Sequence, residues 1–136
     1  MLGGILLNCD IIGNFNYNNA GGGVYISGLT CVVSNCVIAN NGVTNGWPSS
    51  PGREVHAGGM YFLNGTVVNC DFHGNGTFGD GAASGAMRIS GGGNPTVRNS
   101  LFYDNYCKNV LNGAIRVYNA GGTIQNCTIA SNRCAG

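Results

Sequence analysis

Charge is scarce in this chain. Six lysines and arginines against five acids in 136 residues leave a net charge of +1, which gives no electrostatic handle for nucleic acid or for an acidic membrane surface. Glutamate, lysine and glutamine occur once each, as Glu54, Lys108 and Gln125. Without these helix-favouring residues an α-helical domain is not expected. Long apolar runs are missing as well: nothing reaches the roughly 18 residues of a membrane-spanning helix. The opening MLGGILLNC has neither a basic n-region nor a small-residue cleavage site, so it is expected to belong to the folded domain and not to a signal peptide. Cys9 is likewise read as part of a repeat and not as a lipoprotein cysteine. No helix-plus-lysine context follows the GGG runs at 21–23 and 91–93, so they are not phosphate loops.

What the chain does have is glycine, 25 residues of it, together with abundant asparagine and one seven-residue phrase written five times. The phrase appears as NCDIIGN from Asn8, NCVIANN from Asn35, NCDFHGN from Asn69, NSLFYDN from Asn99 and NCTIASN from Asn126, at steps of 27, 34, 30 and 27 residues. A second signature precedes four of them: GGVYI from Gly22, GGMYF from Gly58, GAMRI from Gly85 and GAIRV from Gly113. Between the two lies an apolar stretch ending at Leu6, Val33, Val67, Val97 and Ile124. Each period thus carries three short strand-like segments separated by Gly/Asn corners, and repeats of this length mean a solenoid. A leucine-rich repeat would need regular leucines and often a helix, and neither is present. The predicted fold is an all-β parallel β-solenoid of three strands per coil and about 4.5 coils.

Strand alternation assigns the faces. Val24/Ile26, Met60/Phe62, Met87/Ile89 and Ile115/Val117 point inward, so Tyr25, Tyr61, Arg88 and Arg116 point outward. Ile11, Ile38, Phe72, Phe102 and Ile129 stack in the core beside Cys9, Cys36, Cys70, Ser100 and Cys127. Asparagine tolerates the unusual dihedrals of a corner, and its amide both donates and accepts. Both asparagines of each phrase are therefore expected to form hydrogen-bonded ladders. One ladder is Asn8, Asn35, Asn69, Asn99 and Asn126; the other is Asn14, Asn41, Asn75, Asn105 and Asn132.

The paired GGMYF/GAMRI/GAIRV and FHGN/FYDN elements resemble the GGA[I/V/L] and FxxN repeats of chlamydial polymorphic outer-membrane proteins. More broadly they are similar to the right-handed parallel β-helices of the pectate-lyase-like superfamily. The resemblance implies a right-handed coil in a secreted or surface-exposed bacterial protein: an adhesin, an autotransporter passenger or a polysaccharide-active enzyme.

Enzymes of that kind cluster carboxylates on one outer face. Here the acids are only Asp10, Glu54, Asp71, Asp80 and Asp104. Asp10 and Asp71 fall on equivalent outward positions two coils apart, roughly 10 Å, which is wide even for an inverting pair. His56 and His73 match no zinc spacing, so no metal, cofactor or catalytic residue is expected. Four of the seven cysteines fall at one inward position as small apolar residues. Cys107 and Cys134, each eight residues after its repeat asparagine, are the candidate disulfide, and Cys31 fits neither set.

Two features exceed what a scaffold requires. The row Tyr25, Tyr61, Arg88, Arg116 places rings and guanidinium groups in register, which suits an acidic polysaccharide and equally suits a stabilised sheet. The corner from Asn41 to Gly58 is 17 residues long, against 8 for the shortest equivalents, and it carries Trp47 and Arg53. A loop grown from a regular coil is a candidate recognition element or a tolerated insertion. The function expected is a non-enzymatic extracellular structural or adhesive module. Its expected partners are its own copies stacked head to tail or flanking β-helix coils, with anionic polysaccharide as ligand. The alternatives are a polysaccharide lyase or hydrolase, and an ice-binding face on the row Thr66, Thr96, Thr123.

Overall fold

A computed structural model describes residues 1–17, 20–44, 55–79, 81–108 and 112–135. These residues form a parallel β-solenoid with no helix among them. The segments headed by paired glycines make a four-stranded first sheet: Val24–Ile26, Met60–Phe62, Met87–Ser90 and Ile115–Tyr118. The apolar stretches make a five-stranded second sheet: Ile5–Leu7, Val32–Ser34, Thr66–Val68, Thr96–Arg98 and Thr123–Gln125. The seven-residue phrases supply a five-stranded third sheet: Asp10–Ile12, Val37–Ala39, Asp71–His73, Leu101–Tyr103 and Thr128–Ala130. Pairing is coil on coil, so Leu6, Val33, Val67, Val97 and Ile124 stand in one column.

Three strands per coil is an undercount. A fourth sheet runs through Phe15–Tyr17, Gly42–Thr44, Gly76–Thr77, Tyr106–Cys107 and Arg133–Cys134, directly after the second asparagine of each phrase. Its strands are two or three residues long and two of them begin with glycine, too short for alternation to show. This wall also explains the glycine pairs. A Cβ on Gly22 would stand 2.4 Å from the Gly42 carbonyl oxygen, and one on Gly58 2.4 Å from that of Gly76. The first glycine of the pair therefore lets the chain pass flush against the fourth sheet, a separation that no side chain permits. The second position is less crowded, and alanine fills it at Ala86 and Ala114.

The interior follows the predicted columns. Ile26, Phe62, Val33, Val67, Val97, Ile38, Phe72 and Phe102 are fully buried, and the Phe72 and Phe102 rings stack 4.7 Å apart at 9°. Burial of such side chains contributes about 1.5–3 kcal/mol each. In the last coil the same columns emerge: Val117, Ile124 and Ile129 are exposed.

The two asparagine rows differ from each other, and the expectation of two ladders is corrected to one. Asn14, Asn41, Asn75, Asn105 and Asn132 form a continuous chain. Each backbone N–H and each Nδ2 donates to the Oδ1 of the next rung at 2.8–3.1 Å. Nδ2 also donates back to the core carbonyl one coil earlier, as from Asn75 to Ile38 at 2.7 Å and from Asn105 to Phe72 at 2.9 Å. Asn8, Asn35, Asn69, Asn99 and Asn126 are exposed and their side chains do not bond to one another. They serve by conformation, at φ of 51–53° in the left-handed region, which asparagine enters at low cost. The next residue then closes the corner: the thiols of Cys9, Cys36, Cys70 and Cys127 donate to the carbonyl two residues back at 3.1–3.3 Å. The Ser100 hydroxyl does the same at 2.9 Å. Cysteine and serine interchange in the phrase because both are small donors.

Candidate binding faces

The first sheet presents the row singled out in the sequence. Tyr25, Tyr61, Arg88 and Arg116 are successive register partners. The Tyr25 and Tyr61 rings stack 5.2 Å apart at 7°, with Tyr25 exposed and Tyr61 half-buried. Arg88 departs from expectation: it is only 4% exposed. Its Nη1 donates to His56 Nδ1, and its guanidinium lies 5.0 Å from the centre of the Tyr118 ring. The strand does turn this side chain outward, but His56 and Tyr118 roof it. His56 gets there because it bridges to Ala20 in a neighbouring coil, and its ring also meets Tyr61 at 5.4 Å. Arg116 is more open. Its guanidinium also lies 5.0 Å from the Tyr118 ring; of its nitrogens, Nη1 is buried beneath that roof without a hydrogen-bond partner among the described residues. The face is therefore two stacked tyrosines, a roofed arginine and a half-buried arginine under Tyr118. Trp47 and Arg53 of the long corner lie outside the described residues, as do Glu54 and Asp80.

The third sheet carries a polar cluster that the sequence reading passed over. His73 Nδ1 and Asp71 Oδ1 are 2.9 Å apart, the Tyr103 hydroxyl donates to Asp71 Oδ2 at 3.4 Å, and the His73 and Tyr103 rings stack at 5.0 Å. Desolvation first, and the Asp71 carboxylate second, hold the Tyr103 phenol above its usual pKa. Beside Asp71 an open groove of about 410 Å³ runs over the corners of Asn35, Asn69 and Asn99. Asp10 lies apart from this cluster, two coils from Asp71 with Val37 between them. The signal for the cluster was the alternation Asp-x-His in one phrase set against Tyr one coil later, a pairing visible only when the phrases are aligned.

Cys107 and Cys134 are brought together as register partners one coil apart, yet both are free thiols, as are all seven cysteines. The expected bridge is thus corrected. Parallel in-register strands send both side chains the same way, whereas a disulfide turns its Cβ–S–S–Cβ dihedral through about 90°. Among the described residues no three histidines, cysteines or acids converge on a metal position. The threonine row is in register at Thr66, Thr96 and Thr123, but its column continues into Val32 and Ile5.

A continuous column core, corners closed by left-handed residues, one buried asparagine ladder and side-chain files on the outer faces together define a β-helix repeat protein. The family model described as a right-handed β-helix region matches residues 3–136, and the chain belongs to that family. No curated protein and no solved structure matches it.

Proposed function

We propose that this chain is a non-enzymatic structural and adhesive module, carried outside a bacterial cell, that holds anionic polysaccharide along the first sheet. The observation that carries the reading is the file of stacked Tyr25 and Tyr61 rings in register, through roofed Arg88, with half-buried Arg116. Aromatic faces accept the C–H side of a sugar, and a guanidinium pairs with a uronate carboxylate. The resemblance of the repeats to surface-protein repeats supports placement outside the cell. The exposed column ends at Val117, Ile124 and Ile129 support a cover of further β-coils, supplied by another copy or by flanking sequence.

A glycan array comparing uronic-acid polymers with neutral ones tests the ligand. Wild type should prefer the uronates, and Tyr25→Ala/Tyr61→Ala and Arg116→Gln should each weaken retention about tenfold, the scale of one charge-assisted hydrogen bond. Equal binding by the variants would reduce the row to scaffold. Arg88 is not a suitable probe, because its removal opens a buried site.

One observation favours the enzymatic alternative, a polysaccharide lyase or hydrolase. Asp71 orients His73 beside the Tyr103 phenol, an arrangement suited to general acid–base chemistry. Chain-length analysis of pectin and alginate incubated with the protein, with and without calcium, separates the readings. Cleavage that disappears in His73→Ala would replace the adhesive reading with the enzymatic one.

A further inference from the structure

The fourth sheet, which alternation does not reveal, carries the longest aromatic file among the described residues. One outward register row runs Phe15, Gly42, Gly76, Tyr106, Arg133. Glycine at the two middle positions leaves bare backbone, and rings lie across it. A Cβ on Gly42 would meet the Phe15 ring at 2.4 Å, and one on Gly76 the tip of the Phe78 ring at 2.4 Å. Phe15 and Phe78 are 6.0 Å apart at 16°, and Phe78 and Tyr106 5.8 Å apart at 33°. Tyr17 flanks Phe15 at 5.4 Å, and the Arg133 guanidinium lies 5.9 Å from the centre of the Tyr106 ring. Covering glycine is a structural task for an aromatic ring, but that task does not use up these rings. Phe15 is 50%, Phe78 43% and Tyr17 65% exposed.

We propose that this file is a second polysaccharide contact, taking an uncharged linear glycan laid along the solenoid axis. The shape selects the occupant. A protein partner or a second copy would need roughly 800 Å² of complementary surface on each side, whereas this file is one ring wide and two ring steps long. A narrow row of part-exposed rings spaced 5.8–6.0 Å apart suits the repeat of consecutive pyranose rings, whose C–H groups pack on aromatic side chains. The cations stand toward one end of the row, Arg133 over Tyr106 and exposed Lys108 one coil beyond Phe78 in the neighbouring column, so the stretch from Tyr17 and Phe15 toward Phe78 is the part that suits an uncharged sugar. The proposal concerns a different face from the one assigned to anionic polymer above, and either can fail alone.

Retention on microcrystalline cellulose, chitin and an insoluble β-1,3-glucan is the test. Wild type should be retained on at least one of them. Phe78→Leu, which keeps an apolar cover over Gly76 but removes the ring, should lose retention at least tenfold, and so should Tyr106→Ile. Tyr25→Ala/Tyr61→Ala should leave it unchanged. Thermal melts of all variants establish that they fold, and the Tyr106 variant serves if Phe78→Leu does not. Failure of wild type to bind any of the three polymers would overturn the proposal, as would retention that survives both substitutions. Loss of retention in the Tyr25/Tyr61 variant instead would move the contact to the first sheet and overturn it too. Sedimentation showing a dimer dispersed by Phe78→Leu, without glycan affinity, would put a second copy on this face and overturn it equally.

Discussion

Asn75 is completely buried and its side chain serves four partners: it accepts from both the N–H and the Nδ2 of Asn41 and donates to the Ile38 carbonyl and to Asn105. Asn75→Ala orphans the Asn41 N–H, which costs about 1–3 kcal/mol, and removes one hydrogen bond each from Asn41 Nδ2, the Ile38 carbonyl and Asn105 Oδ1, at about 0.5–1.5 kcal/mol apiece. A loss of about 3 kcal/mol or more in urea unfolding is expected. Asn69, with the same identity in the same phrase, should behave oppositely. It is exposed at φ 53°, so Asn69→Gly should stay within about 0.5 kcal/mol, while Asn69→Val should lose about 1–2 kcal/mol from forcing a branched residue into the left-handed region. The distinction was present in the sequence, one residue upstream of the second asparagine. That position reads Gly13, Asn40, Gly74, Asp104, Ser131, all turn formers, and all have positive φ. The amide that follows such a corner is the one turned inward. At Cys70, burial first pushes the thiol pKa from the ordinary 9.0 up to about 11. The folded state then holds a proton that the unfolded chain releases, so stability falls as pH rises from about 9 to about 11. Cys70→Ser installs the donor already used at Ser100, and it should flatten that decline in a pH series of melts without weakening the corner at pH 7.

At the level of the strand and its corner, the three long segments were legible because each repeats a recognisable pattern: the glycine pair, the apolar stretch, the Asn-bounded phrase. The fourth was not. Gly42–Thr44 and Gly76–Thr77 have no apolar alternation, and what makes them strands is the coil above and the coil below. Glycine pairs were visible as punctuation, but their cause, the approach of this hidden wall, was not. That cause predicts an asymmetry within each pair. A Cβ on Gly58 would meet the Gly76 backbone at three atoms between 2.4 and 2.7 Å, and backbone at a sheet centre has little room to give. Gly58→Ala should therefore lower the melting temperature well below that of Gly59→Ala, whose position alanine fills in later coils as Ala86 and Ala114. Equal melting temperatures would show that the coil widens freely there. The candidate faces follow the same divide. Tyr25, Tyr61 and Arg116 were readable from alternation, whereas the roof over Arg88 comes from His56 and Tyr118, which lie 32 and 30 residues from it in the chain. The Asp71–His73–Tyr103 cluster likewise exists only because one coil sits on another.

For the molecule as a whole, nearly all stabilisation is between neighbouring coils, so stability should be graded along the axis and not uniform. Hydrogen exchange should be slowest at Phe62, Phe72 and Val67, in the middle coil, and fastest at Ile124 and Ile129. If the exposed column ends are covered by another copy, as proposed, the sedimentation coefficient should rise with protein concentration. Ile129→Asp should then keep the chain monomeric; a wild type that sediments as one 14.0 kDa species at every concentration would rule out self-stacking. The asparagine ladder adds a condition on any such contact. All its amides face one way, each inner rung giving an Nδ2 hydrogen to the Oδ1 of the later rung, its other Nδ2 hydrogen to a core carbonyl behind, and its oxygen to the earlier rung. The row is a vector, and the solenoid has a grain. A whole coil can be cut out or spliced in by a one-period translation, and every amide still finds its complement. A junction made by rotating one piece end over end would set like against like at the seam, oxygen against oxygen at one end of the row or N–H against N–H at the other, so the fold tolerates repetition but resists reversal.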